Sequence, residues 1–332
     1  MPAKIPVILF SLLCFLSASG FASSGLHAGQ TADATEKTVE VAKQGEESPG
    51  NVEEGSEQTE EKVLEKGAEA PEETRPQVEI LMEASGLNKQ IEQFPLFIQR
   101  GFVEAKQKDQ PEDPELDVIE KILMESLDTE KLKSGMSQRL ASSLSAAEMT
   151  EVLTWLNSRL GKTITYLEEK ASTPAALDRM GALEKSLLDS GKKTGRMELM
   201  KQLDQAAGIT EGSVDMMLNS ELAISLAVGG AAAPADDALF DGILKNVQMK
   251  RHLVKEVMEK QVLLSLLYTY QMLKESELKE YIAFAESPTG KKYHETTMKG
   301  MSELIAEAGK NAGRKIGELL KEKISTTQNP AP

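Results

Sequence analysis

The chain has 332 residues, of which 27% are charged, and its net charge at pH 7 is −15. This acidic balance argues against a general nucleic-acid-binding function. The single cysteine, Cys14, lies in an N-terminal apolar run, so a mature chain without that run has no disulfide, thiol nucleophile or cysteine metal ligand. An exported protein without disulfides must be stabilised by its apolar core.

Residues 1–22 are predicted to form a secretory signal peptide. Lys4 supplies the positive charge and residues 5–16 supply the apolar run, and the small residues Gly20 and Ala22 precede the expected cleavage point. The alternative is an uncleaved anchor, but the run is shorter than the roughly 20 residues that span a bilayer. The pattern predicts export to the periplasm or secretion.

An acidic segment follows the predicted signal peptide. Residues 30–79 contain fifteen acidic and five basic residues and few apolar ones. A segment of this composition cannot bury enough apolar surface to offset the entropy of ordering its chain. We therefore predict a disordered acidic linker over residues 23–75, with a tether as the simplest role.

Beyond the linker, apolar residues recur at helical spacing and no alternating strand pattern occurs. One eighteen-residue pattern appears twice, 129 positions apart, at 144–161 and 273–290. Such internal repetition is typical of a duplicated structural unit. We predict an all-α fold, a helical bundle of two homologous multi-helix repeats at 76–190 and 191–325, followed by a disordered tail at 326–332.

The two copies of the pattern share the residues that we treat as candidate site residues. These are Glu148, Trp155, Ser158, Gly161, Glu277, Leu278, Phe284, Ser287, Pro288, Gly290 and Lys291. Ser145 and Glu148 match a capping box, whereas Lys274 replaces the capping hydroxyl in copy two. Ser287-Pro288 predicts a helix restart. Copy one has Arg159 in place of the proline, which predicts a helix that continues or bends less.

Each of these residues also has a simpler structural interpretation. The equivalent acids Glu148 and Glu277 could perform acid–base catalysis, but capping explains both. Trp155 and Phe284 either pack between the repeats, which we favour, or form a partner-facing hot spot. The three histidines lack the spacing of a zinc site, and no phosphate-binding loop or calcium loop occurs. We therefore predict no enzyme activity, no metal and no cofactor.

Residues 275–295, ESELKEYIAFAESPTGKKYHE, resemble the signature of the bacterial exported proteins grouped as domain of unknown function 2059. In that family an acidic-leucine pair precedes an aromatic-containing helix and a Ser-Pro-x-Gly sequence with a following basic or polar residue. The chain departs from the signature at Ala285 and Lys274, and residues 144–166 resemble a degenerate copy without the proline. The resemblance implies an all-helical fold outside the cytoplasm and implies no reaction.

The C-terminal segment 289–325 carries eight basic and five acidic residues beside a long apolar stripe. Gly309, Gly313 and Gly317 follow at spacing four, each costing about 1 kcal/mol against alanine in a helix. They predict either a close backbone contact or a fraying helix. A second basic group could gather an anion or form a solvated helix face: Lys245, Lys250, Arg251 and Lys255.

The absence of a reactive constellation in a chain with abundant amphipathic surface predicts a binding function. We predict a non-enzymatic protein-interaction or scaffold module that recognises a protein partner in a helical groove between the repeats. The alternative is a peripheral protein that associates with an anionic membrane surface through its basic amphipathic C-terminal helix. That helix could equally close the bundle.

Overall fold

The computed structural model describes residues 75–108, 114–232 and 237–328, and every regular element within these ranges is an α-helix. The described chain is therefore an all-α bundle, as the sequence predicts. The predicted signal peptide at 1–22, the predicted linker up to residue 74 and the last four residues of the predicted tail lie outside the described residues.

The described helices fall into two groups that are separated by Thr194 and Gly195. The first group contains α1 Arg75–Ala84, α2 Leu87–Lys108, α3 Pro114–Ser126, α4 Thr129–Ser143, α5 Ala146–Asn157, α6 Arg159–Ala171 and α7 Pro174–Lys193. The second group contains α8 Arg196–Ala207, α9 Ile209–Ala232, α10 Asp237–Thr269, α11 Glu275–Glu286 and α12 Pro288–Gln328. The predicted boundary between residues 190 and 191 lies inside α7, and the predicted tail begins inside α12.

The two halves follow the same order of elements. The short helices α1 and α8 each precede a glycine in the left-handed region, Gly86 with φ 77° and Gly208 with φ 64°. Glycine adopts this conformation without the strain that a side chain would add, which explains both glycines as helix ends. The helices α5 and α11 each have 12 residues and begin 129 positions apart. The common order agrees with a duplication, which stays a prediction.

The halves differ at two places, where the first half has two consecutive helices and the second half has a single long one. Asp128 and Thr173 cap α4 and α7 through their side chains, so the chain breaks before each helix. The positions 129 residues further hold Val257 and Ser302, and α10 and α12 continue through them. As a result α10 has 33 residues and α12 has 41.

One hydrophobic core joins the two halves. Its buried residues extend along the sequence from Val78 in α1 to Ala308 in α12. The almost entirely apolar run 262–273 contributes Val262, Leu266 and Tyr270, each with no exposed surface. Residues 262–269 form the end of α10, and residues 270–273 lie in the turn that follows it. The helix α12 packs against α3, α4, α5, α8, α9 and α11 and is the central element of the bundle.

The glycines of α12 allow this helix to approach α9 closely. A Cβ atom on Gly313 would lie 2.5 Å from the carbonyl oxygen of Ile224, and one on Gly317 would lie 2.7 Å from that of Val228. Real Cβ atoms do not come this close to an oxygen, so only glycine fits at these positions. The predicted close backbone contact is confirmed at Gly313 and Gly317, whereas a Cβ on Gly309 would approach the Ile224 side chain, at 3.0 Å.

Candidate functional site

Each motif copy begins with a capped helix. In copy one the Ser145 Oγ accepts from the backbone N–H of Glu148 at 3.3 Å, and the Glu148 carboxylate accepts from the Ser145 N–H at 2.8 Å. This is the predicted capping box. In copy two the Glu277 carboxylate accepts from the Lys274 N–H at 2.9 Å, but no side-chain hydroxyl caps the helix. The weaker cap predicted for α11 is confirmed.

Each copy then breaks at a serine and restarts. Ser158 and Ser287 have nearly identical backbone angles, with φ −62° in both and ψ 163° and 151°. Their hydroxyl oxygens accept from the N–H of Gly161 at 2.9 Å and of Gly290 at 3.0 Å. A Cβ on either glycine would overlap a carbonyl oxygen of the preceding helix, at Trp155 or Phe284. The Ser-x-x-Gly spacing therefore specifies a tight corner.

The prediction that Arg159 lets the helix of copy one continue or bend less is wrong. The helix α5 ends at Asn157 and α6 begins at Arg159, with the same corner as in copy two. Proline suits the first helical position but is not required there. The serine cap and the close approach at Gly161 are sufficient to turn the chain.

The two copies face each other across the centre of the molecule. The rings of Trp155 and Phe284, which hold the same motif position, stack with a centroid distance of 4.6 Å and an interplanar angle of 8°. The ring of Tyr281 also stacks with Trp155, with a centroid distance of 6.1 Å. The two rings therefore pack against each other where α5 meets α11, in agreement with the favoured interpretation. That the two copies are homologous repeats stays a prediction.

Ion pairs cross the same junction in both directions. Lys292 of copy two donates to the Glu148 carboxylate at 2.8 Å, and Arg159 of copy one lies 3.9 Å from the Glu277 carboxylate. The Thr289 hydroxyl donates to Glu151 at 2.6 Å. The capping acid of each motif helix thus meets a basic residue near the corner of the other copy.

These contacts govern the chemistry of Glu148. The hydrogen bond from Lys292, followed by those from Ser145, lowers the pKa of the Glu148 carboxyl to about 2. A general acid or base near neutral pH needs a pKa near the working pH. Glu148 is therefore held as a carboxylate that caps a helix and joins the two copies.

The other motif residues of copy two have structural or solvent-facing positions. Leu278 has no exposed surface, and Pro288 is the first residue of α12. Lys291 is exposed and lies 3.8 Å from the Glu295 carboxylate. The structure thus brings the predicted site residues together at one junction, where they build corners, caps and a stacked pair.

A buried polar group beneath the junction was not predicted from the sequence. The Tyr270 hydroxyl donates to Glu168 Oε1 at 2.6 Å, and both residues are buried. Burial, reinforced by the charge of Glu168, raises the pKa of the Tyr270 and Tyr281 hydroxyls well above the ordinary value. The sequence feature that could have indicated a buried Glu168 is its position on the apolar face of α6, four residues after Ile164.

His294 is a second buried polar residue at the junction. The ring is 3% exposed, lies against Phe284 and Tyr293, and has no hydrogen-bond partner for either nitrogen among the described residues. Burial alone lowers the pKa of the imidazole to about 4. The ring is therefore neutral at physiological pH and packs as an aromatic side chain.

The basic group on α10 pairs with acids of α9. Lys250 contacts Glu221 at 2.5 Å, Arg251 contacts Asp215 at 2.7 Å, and Lys255 pairs with Glu211. Three of the four basic side chains that could have bound an anion are therefore paired with carboxylates of the same protein. Within the described ranges, no group of three or more His, Asp or Glu side chains is placed to hold a metal ion.

The opposite side of α10 carries an exposed apolar row, which we define as Met249, Leu253 and Val257. These side chains follow one another at spacing four and are 68%, 64% and 44% exposed. They lie on one face of the helix. None of the described helices is long and apolar enough to cross a membrane.

Comparison of the chain with protein-family models, with curated proteins and with solved structures finds no match.

Proposed function

We propose that this chain is an exported, non-enzymatic interaction module that binds an amphipathic helix of a partner protein along the α10 row. The observation that carries the proposal is the row itself, three large apolar side chains that remain exposed on one face of α10. Exposed apolar surface of this kind commonly marks a protein interaction site. Export rests on the sequence pattern of residues 1–22.

The geometry around the row suits a helix as the ligand. Eight residues separate Met249 from Val257, which is about 12 Å along a helix axis. The Lys260–Glu184 ion pair, 2.9 Å long, brings α7 alongside this part of α10, and the adjoining Leu183 is 43% exposed. Helix-in-groove recognition uses apolar anchors at such spacing.

The groove between the repeats has less support as the docking surface. The stacked rings of Trp155 and Phe284 fill the junction of the two copies, and the charged motif residues there pair with each other. The resemblance of residues 275–295 to an exported helical family agrees with a module of this kind and adds no reaction.

Membrane association through the C-terminal helix is the alternative, and it too has less support. Most of the apolar stripe of α12 is buried within the bundle, at Met298, Met301, Leu304, Ile305, Ala308 and Ala312. A helix that binds a membrane surface must present such a stripe to the lipid. Sedimentation of the purified full-length protein with anionic liposomes at low and high salt tests this alternative, which predicts sedimentation that salt abolishes.

A photo-crosslinking amino acid placed at Leu253 tests the proposed surface. A matched probe at Met272 is the control, because Met272 is 78% exposed but lies beyond the end of α10. The expected result is a discrete protein crosslinked from position 253 and not from position 272. The crosslinked partner, once purified, should bind the Leu253→Glu variant of this chain about tenfold more weakly than the wild type. The Met272→Glu variant should bind the partner as the wild type does.

Equal crosslinking from both positions, or binding of the purified partner that Leu253→Glu leaves unchanged, would contradict the proposal. A partner whose binding depends on Lys291 or Arg159 would instead place the docking surface at the junction of the repeats.

A further inference from the structure

The methionines of this chain differ sharply in their exposure. Fourteen of the fifteen lie in the described ranges, and only two of these fourteen are exposed, Met249 at 68% and Met272 at 78%. Nine others are buried, with at most 4% of their surface exposed: Met82, Met136, Met149, Met180, Met200, Met216, Met258, Met298 and Met301. A mature chain that has lost Cys14 also has no thiol. Exposed thioethers are then the readiest targets of oxidants.

We propose that Met249 is an oxidation-sensitive modification site that switches the α10 row from apolar to polar. Its effect on docking rests on the proposed function, whereas the modification itself follows from exposure and chemistry. The oxidant is a two-electron oxygen donor such as hydrogen peroxide. Met272 is oxidised as well, but it lies outside the row and leaves it unchanged.

The reaction balances without any further reagent. The Met249 sulfur attacks one oxygen of hydrogen peroxide, so an S–O bond forms and the O–O bond breaks. The departing hydroxide takes the proton of the transferred hydroxyl and leaves as water. The thioether loses two electrons and becomes a sulfoxide, while the peroxide is reduced.

The product changes the character of the row. A sulfoxide is polar and accepts hydrogen bonds, so a partner helix that covers it must remove its water. Leu253 and Val257 are not oxidised under the same conditions, so the switch resides in one side chain. Because methionine sulfoxide reductases reverse the change, the site can be restored.

Peptide mapping by mass spectrometry after graded peroxide treatment of the folded protein tests the site. Met249 and Met272 should become sulfoxides well before the nine buried methionines. Oxidation of the buried methionines at the same rate as Met249 would overturn the inference. In guanidinium chloride, where burial is lost, the methionines should react alike.

The binding of a fluorescent apolar dye, anilinonaphthalene sulfonate, tests the switch without a known partner. Oxidation should weaken dye binding about tenfold in the wild type and in Met272→Leu. In Met249→Leu, oxidation should leave dye binding unchanged. A reductase should restore the wild-type signal. Equal loss in Met249→Leu would overturn the switch.

The two proposals fail in different ways. If Leu253→Glu does not reduce dye binding, the row is not an accessible apolar surface and the proposed function loses its support. If Leu253→Glu reduces dye binding but oxidation does not, the row stands and the oxidation switch is wrong.

Discussion

The two halves of the molecule use one motif and then continue differently. After the corner at Ser158, the chain forms α6 and stops at Ala171, and Thr173 and Pro174 start a new helix. After the corner at Ser287, the chain forms one helix of 41 residues. The position equivalent to Pro174 is Glu303. Because proline disfavours the helical conformation in the residue before it, this difference separates a two-helix half from a one-helix half.

The comparison separates what the motif specifies from what each half adds. Both copies keep the serine cap, the glycine at the corner and the acid that caps the motif helix. The long helix α12 and the exposed row on α10 belong to the second half alone. The shared residues thus build the junction, whereas the exposed apolar row lies in a part of the second half that the first half does not share.

The largest effect is expected from the shared aromatic pair. Trp155→Ala and Phe284→Ala should each lower the free energy of unfolding by about 3 kcal/mol, because each removes a large ring from the junction. In the double variant the loss should be smaller than the sum by about 1 kcal/mol, since either change alone breaks the stack. Urea unfolding of the four proteins measures the coupling. Strict additivity would mean that the two copies do not meet at these rings.

His294 should make the second half sensitive to acid in a way that the first is not. Its equivalent, Thr165, satisfies its hydroxyl by donating to the Gly161 carbonyl at 2.8 Å. The pKa of His294 falls from 6.5 to about 4 on folding, so the unfolded chain binds the proton first as the pH drops. Stability should decline from about pH 6.5 and level off near pH 4, by about 3 kcal/mol.

His294→Leu should remove this part of the pH dependence, as followed by urea unfolding between pH 7 and pH 4. Thr165→Val is the matched control and should change stability without changing its slope with pH. A slope that persists in His294→Leu would assign the acid sensitivity to another group.

Substitution of a glycine in α12 tests the close contact between α12 and α9, which only the second half has. Gly313→Ala should destabilise by about 2 kcal/mol, because its Cβ would lie 2.5 Å from the Ile224 carbonyl oxygen. Gly181→Ala in α7 is the control, since a Cβ there has no neighbour within 4 Å. It should stabilise by up to about 1 kcal/mol through helix propensity. Thermal unfolding that shifts in the same direction for both variants would contradict the close approach.

The smallest effect is expected at the caps of the two motif helices. Lys274→Ser should stabilise by about 1 kcal/mol, because it supplies the hydroxyl that α11 lacks. Ser145→Ala should cost about as much in α5. Together the two changes remove the capping hydroxyl from α5 and supply one to α11. A stabilisation by Ser145→Ala would show that the cap of α5 does not contribute as the geometry indicates.

Features that depend on neighbouring residues in the sequence could be predicted. The capping box at Ser145, the left-handed glycines Gly86 and Gly208 and the restart at Pro288 each follow from a few adjacent side chains. For the α12 glycines, the sequence leaves both a close backbone contact and a fraying helix open, and the structure shows the contact at Gly313 and Gly317. The all-α class follows from the periodicity of the apolar residues.

Features that depend on distant neighbours could not be predicted. Glu168 and His294 look like surface or boundary residues until the partners that bury them are known. The α10 row has the spacing of a core stripe, and only the arrangement of α7 and α9 leaves it uncovered. For copy one, the missing proline predicts a helix that continues or bends less, because the carbonyl oxygen that Gly161 approaches cannot be read from the sequence.

The central position of α12 has a consequence for biosynthesis. This last described helix supplies packing for α3, α4 and α5, which a ribosome completes much earlier. The apolar faces of the early helices therefore stay uncovered on the nascent chain until the residues after 288 have emerged. Contacts at such long sequence separation slow folding and prolong the need for chaperones.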